Sequence, residues 1–171
     1  AIPEPVPGEG PGSDPTGGAG LQMDLQVFRA LGVHGAAVPT ALTVQDTERV
    51  HRVLPAFPSV VREQLAVLLA DLRPDALKLG MLATDDVLRA VELSLEQGLG
   101  DPPPPLVLDP VLAAGSGGPP LLEARARDGL RRLLPRAALV TPNLPEAEAL
   151  AERDVSTREG AERAARALVE E

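Results

Sequence analysis

A carboxylate, an amide and a glycine-rich turn, each where a loop meets an apolar-periodic segment, give this sequence its chemical potential. Asp109 follows Leu106-Val107-Leu108 and precedes a proline that stops the strand. A carboxylate in that place suits a hard ion such as magnesium, held through water. Asn143 and Glu146 lie three apart at the start of a helical pattern, so both side chains can face one site. Gln45 and Asp46 follow one strand-like stretch and Met81 follows another. In open α/β sheets ligands bind beyond the carboxyl ends of the strands, where all of these residues fall. Against this stands the ordinary polarity of loops, and Glu146 and Asp24 also serve simply as first-turn acids of helices.

The turn Gly12-Ser13-Asp14-Pro15-Thr16-Gly17-Gly18-Ala19-Gly20 crowds four glycines ahead of the helical period Leu21, Leu25, Phe28 and Leu31. Glycine lets a ligand approach the backbone, and a helix start offers unpartnered N–H groups and a positive dipole. An anion or the polar atoms of a ring fit such a place. A flexible loop with an ordinary helix cap accounts for the same glycines. The spacing matches neither GxGxxG nor GxxxxGK[ST], so neither a dinucleotide fold nor a Walker loop is licensed. His34 and His51 stand alone, with no third ligand nearby in sequence.

The positioning elements follow from periodicity and caps. Residues 18–31 read as a helix ended by Gly32, and residues 35–44 as a strand despite Pro39. A helix over 58–72 starts with a proline in its first turn, and a short strand covers 75–79. Thr84 caps a helix over 85–97 whose first turn is acidic. After a proline-rich connector at 101–105 come a strand at 106–108, a loop at 115–120, and an arginine-rich helix at 121–134. A strand at 138–141 and a helix at 144–152 precede a last helix, for which Ser156 and Glu159 fit a capping box. Alternating strands and helices predict a mostly parallel sheet covered on both faces.

Composition narrows the function. A chain of 171 residues with 44% hydrophobic residues fits one domain with a sizeable core, although at 1% aromatics its packing must be aliphatic. The net charge of −9 argues against a nucleic-acid partner, and zero cysteines exclude disulfides and thiolate chemistry. No apolar run has the length of a membrane span and no signal-peptide pattern opens the chain, which together predict a cytoplasmic protein without a membrane partner. Residues 1–11 hold Pro3, Pro5, Pro7 and Pro11, a poor source of ladder donors, and are expected to be extended or disordered.

GSDPTGGAGLQMDL, then LGVHGAAVPTALTVQDT, KLGML, VLDPV and TPNLPEAEAL, occur in the order and approximate spacing of the hydroxymethylpyrimidine/phosphomethylpyrimidine kinases of thiamine synthesis, which the chain resembles from residue 12 to about residue 150. These kinases are ribokinase-like. The resemblance implies a three-layer α/β/α sandwich with a mostly parallel sheet, here incomplete, with residues 12–171 forming the N-terminal portion of the kinase domain. It implies ATP and Mg2+ as cofactors and phosphorylation of the hydroxymethyl group of the pyrimidine and then of its monophosphate. Asp14, Ala19, Asp24, Thr43, Gln45, Met81 and Val111 match positions that contact the pyrimidine. An amide such as Gln45 can pair with the donor and ring acceptor of a 4-aminopyrimidine edge, and Met81 and Val111 can sandwich the ring. Asn143 and Glu146 match nucleotide and phosphate contacts, and Asp109 and Glu146 the metal.

Two departures temper the expectation. The family's apolar first strand is not seen ahead of the glycine turn. The lysine of the family's Lys-Gly-Gly segment, its Gly-Thr-Gly anion hole and its catalytic residue have no counterpart up to Glu171, so no catalytic residue is expected in this chain and its own turnover is expected to be low. The only lysine, Lys78, belongs to the KLGML block. A pyridoxal/pyridoxamine kinase-like enzyme and a non-catalytic pyrimidine-binding relic are the alternatives, and homodimer formation is an open expectation.

Overall fold

A computed structural model describes residues 12–114 and 119–170. The expectation for residues 1–11, and most of the loop expected at 115–120, lie outside the described residues. The element order is α1 (Gly20–Ala30), β1 (Ala41–Gln45), β2 (Val50–Pro55), α2 (Pro58–Asp71), β3 (Leu77–Leu79), α3 (Asp85–Gly98), β4 (Leu106–Leu108), α4 (Arg127–Leu133), β5 (Leu139–Val140), α5 (Leu144–Ala151) and α6 (Arg158–Glu170). Short 3-10 turns at Ala124–Ala126 and Leu134–Arg136 flank α4.

Strands β3, β4 and β5 form a parallel sheet in that order, with Leu77 opposite Leu106, Leu79 opposite Leu108, and Leu108 opposite Val140. Side chains alternate across a strand. Leu77, Leu79, Leu108 and Val140 therefore share one face, where they meet Val61 of α2, Val87, Leu88, Val91 and Leu95 of α3, and Leu130 and Leu133 of α4. Lys78, Val107 and Leu139 take the opposite face, and there Leu139 is 54% exposed. No residue of α1 belongs to the main core cluster. Among the described residues the sheet is thus packed deeply on one side, where coverage on both was expected. The α/β class and the partial sandwich hold.

Local signals placed several elements closely. Helix α2 has its proline in the first turn, and β4 occupies the expected residues. The Thr84 side chain accepts from the Val87 N–H at 3.3 Å to cap α3, with Asp85 and Asp86 in the first turn. Gly32 ends α1 at φ +75°, a backbone region costly for other residues.

The structure differs from expectation at four places. The strand expected at 35–44 is confined to Ala41–Gln45, because the preceding residues pair with no neighbouring strand. It folds back antiparallel on β2, an element that the sequence pattern does not announce, through a turn in which the Asp46 carboxylate accepts from the Glu48 and Arg49 N–H groups at 2.9 and 3.0 Å. The helix expected at 121–134 is shortened at its start. Leu121 and Leu122 are buried in two different clusters, and backbone bonds from Leu121 N–H to the Leu112 carbonyl and from Glu123 N–H to the Ala83 carbonyl hold them out of a helix. Finally, α6 is capped by Thr157, whose hydroxyl accepts from the Gly160 N–H at 3.0 Å. Ser156 is instead drawn to the Asp154 carboxylate through both its N–H and its hydroxyl.

Candidate active site at the carboxyl ends of the strands

Asp109 follows β4 immediately, Met81 lies two residues past the end of β3 and Asn143 three past the end of β5, so the parallel strands deliver all three to the same end of the sheet. The glycine turn and the β1–β2 hairpin are fastened to the same end. Ser13 bridges Leu42 in parallel fashion, with Ser13 N–H donating to the Ala41 carbonyl at 3.0 Å. The Thr40 hydroxyl donates to the Met81 carbonyl oxygen. A Cβ added at Gly12 would stand 3.1 Å from the Ala41 carbonyl oxygen and 3.3 Å from the Met81 sulfur, so the absence of a side chain there permits the close approach.

Within the glycine turn, Asp14 is the organiser. It is 0% exposed, and its carboxylate accepts from Thr16 N–H at 2.8 Å, the Thr16 hydroxyl at 2.9 Å and Ala19 N–H at 3.0 Å. The Gly17 N–H is taken by the Asp14 carbonyl and the Gly18 N–H by the Thr16 hydroxyl. The donors that were expected to greet a ligand are therefore largely satisfied inside the turn. What the turn supplies is a fixed shape. Gln22, whose role no motif in the sequence signals, locks it further: its Oε1 accepts from Asp14 N–H at 3.0 Å and its Nε2 donates to the Ser13 hydroxyl at 2.6 Å.

Gln45 ends β1. The Thr43 hydroxyl lies 3.1 Å from the Ser13 carbonyl oxygen and 3.2 Å from Gln45 Oε1. One proton serves one acceptor at a time. The Gln45 amide can thus be released to a ligand while Thr43 keeps its bond to Ser13. Met81 and Val111 are buried in one cluster with Ala41, Val50, Ala83 and Leu121, which joins the expected walls of the ring site in a single apolar unit.

The charged residues form two groups. Lys78 Nζ is 2.5 Å from Asp24 Oδ1 and 3.8 Å from Asp109 Oδ2, so one ammonium links α1 to the end of β4. Asn143 and Glu146 make a reciprocal capping box on α5. Asn143 Oδ1 accepts from Glu146 N–H and Glu146 Oε2 accepts from Asn143 N–H, both at 2.9 Å. Glu146 is 5% exposed, and its Oε1 also accepts from Leu112 N–H at 3.4 Å. The same carboxylate therefore ties the start of α5 to the turn after β4.

Asp109 is partly accessible, and no group of three or more His, Cys, Asp or Glu side chains is placed to hold a metal among the described residues. A magnesium ion fits such a donor set, since it keeps most of its water and takes one or two carboxylates. His51 is not isolated: its Nε2 is 2.6 Å from Asp46 Oδ2. That contact, with the Glu48 and Arg49 N–H groups, lowers the Asp46 carboxyl to about 2. A groove of about 440 Å³ between Ala37, Val38 and α2 involves none of the site residues. No helix among the described residues is long and apolar enough to cross a membrane.

A phosphomethylpyrimidine kinase from Clostridium difficile 630 superposes with a TM-score of 0.83 at 31% identity, over 95% of this chain and 71% of that one. A Staphylococcus aureus pyridoxal kinase in complex with AMP-PCP and pyridoxal gives 0.78 at 30% identity, over 93% and 56%. These likenesses define the fold as that of a ribokinase-like small-molecule kinase. The phosphomethylpyrimidine kinase profile matches residues 14–171, and the chain belongs to that family. A hydroxymethylpyrimidine/phosphomethylpyrimidine kinase of Escherichia coli (strain K12) is 47% identical over 140 residues, which is 81% of this chain and 51% of the relative. The chain spans a little over half the length of such relatives.

Proposed function

We propose that this chain supplies the substrate-binding side of an enzyme that transfers the terminal phosphoryl group of ATP to the hydroxymethyl group of 4-amino-5-hydroxymethyl-2-methylpyrimidine, and then to the resulting monophosphate. The observation that supports this reading is that Thr40 ties the start of β1, the strand that ends at Gln45, to Met81 after β3, while Asp109 follows the neighbouring strand β4. In this reading Gln45 pairs with the amino group and ring nitrogen of the pyrimidine, while Met81 and Val111 flank its faces. Ala19, Thr43 and Asp24 complete the pocket rim, with Asp24 beside the hydroxymethyl group, and Asp14 acts mainly by holding the turn. Asn143 and Glu146 serve the phosphate end. Asp109, with Glu146 behind it, would hold magnesium through water. When bound, that ion supplies neutralisation of phosphate charge. Dependence on ATP agrees with the cytoplasmic location expected from the sequence.

Calorimetry with hydroxymethylpyrimidine on the chain and its Gln45→Ala variant tests the assignment. Unpairing the polar edge of a buried ligand costs roughly 1–3 kcal/mol, so the variant should bind at least several-fold more weakly. An unchanged dissociation constant refutes the role of Gln45. The similarity to a pyridoxal kinase makes pyridoxal the second ligand to try. Tighter binding of pyridoxal than of the pyrimidine would transfer the reading to that substrate class.

A further inference from the structure

Lys78 is the single lysine of the chain, and the proposed reaction gives it no part. It lies in the middle of β3, on the sheet face away from the main core, between a carboxylate from α1 and one from the end of β4. Its two contacts are unequal. Asp24 at 2.5 Å is a direct charge-assisted hydrogen bond, whereas the contact of the ammonium with Asp109 at 3.8 Å is beyond hydrogen-bond reach and is Coulombic. All three side chains remain about 30% exposed, at 29%, 30% and 29% for Lys78, Asp24 and Asp109, so the ammonium has room to shift without disturbing the core.

We propose that Lys78 is the resident counter-cation of the site, balancing Asp109 until a divalent cation takes that carboxylate, and retained from then on by Asp24 alone. This deepens the kinase reading and rests on its assignment of Asp109 to a divalent cation. The physical reason is the sign of the interaction. Lys78 attracts Asp109, but it repels any cation bound there, and the repulsion grows with the charge of the ion. Asp24 limits the conflict, because its hydrogen bond anchors the ammonium on the α1 side.

The inference makes two expectations of opposite sign. In Lys78→Met the competing charge is gone, and the affinity of the Asp109 site for a divalent cation should rise. In Asp24→Asn the anchor is gone, Lys78 leans on Asp109 as its remaining carboxylate partner, and the affinity should fall. For charges that are about one-third exposed, each change should be on the order of three- to tenfold. Ion pairs that merely support the architecture would lower affinity in both variants.

The probe is Mn2+ alone, titrated into the chain with free ion read by electron paramagnetic resonance. At a net charge of −9 the surface gathers cations elsewhere, so the part of the binding lost in Asp109→Asn defines the site. Tighter Mn2+ binding in Lys78→Met, near-wild-type binding in Lys78→Arg and weaker binding in Asp24→Asn, each with unchanged circular dichroism, support the inference. Unchanged or weaker binding in a folded Lys78→Met variant, with the Asp109-dependent component present in the wild type, overturns the inference and leaves the cation assignment standing. Binding that is unaffected by Asp109→Asn overturns both.

Discussion

Replacing Asp14 removes one carboxylate from the centre of the glycine turn, and the structure allows the cost to be worked donor by donor. In Asp14→Ala the N–H groups of Thr16 and Ala19 and the Thr16 hydroxyl all lose their acceptor. The exposed hydroxyl is free to turn to water, so it contributes little. The two backbone donors are part-buried, where an unmade hydrogen bond costs about 1–1.5 kcal/mol each, giving about 2–3 kcal/mol in all. Asp14→Asn should be milder. Its Oδ1 can still accept from Thr16 N–H, and its amide nitrogen can donate to the Thr16 hydroxyl oxygen, but nothing remains for Ala19 N–H. That leaves about 1–1.5 kcal/mol. Urea unfolding followed by circular dichroism would give the order wild type, Asn, Ala at constant m. An alanine variant within about 0.5 kcal/mol of wild type, below the cost of even one such unmade bond, would refute the claim that this carboxylate holds the turn.

The acid limb of stability should carry a signature of the β1–β2 turn. Asp46 sits at about 2, lowered from 3.8 chiefly by its hydrogen bond with His51, so its contribution is complete above about 3.8 and is lost as pH falls through 2. Asp46→Asn should therefore lose less Tm between pH 5 and pH 2 than the wild type does, and equal losses would show that the turn does not couple to folding. Gly160 lies so close to the preceding turn that an added Cβ would stand 2.4 Å from the Asp154 carbonyl oxygen. Gly160→Ala should cost about 1–3 kcal/mol despite the better helix propensity of alanine, measured by urea unfolding, and a gain in stability would show that the turn gives way.

Where structure is decided locally, the sequence was enough to place it. Pro58 at a helix start and Thr84 ahead of two aspartates each settle a boundary within a few residues of chain. Strand β2 was missed because Val50–Pro55 mixes histidine and arginine among its apolar residues, and it becomes a strand only by pairing with β1. The converse holds for residues 35–40, where Val38 and Thr40 suit a strand but no strand lies beside them. At the candidate site, Gln45, Met81 and Asp109 draw attention in the sequence because they stand at or just beyond strand ends. The inward role of Asp14 does not, since the glycines around it advertise an open cradle. Lys78 did carry a signal, as a single lysine in a quoted motif, but its two carboxylate partners lie 54 and 31 positions away in sequence (78 − 24 and 109 − 78).

Glu146 fastens the start of α5 to Leu112, and Leu112 is the immediate neighbour of Val111. One carboxylate thus stands behind both the proposed wall of the ring site and the proposed phosphate end. An exchange at this position would disturb both ends together, so it offers little freedom for drift toward a new substrate. Gln45 is differently placed, on a hairpin linked to the glycine turn through Thr43 and Ser13. Evolutionary change in ring preference has its cheapest route there, at a side chain that can be retuned while the phosphate end keeps its geometry.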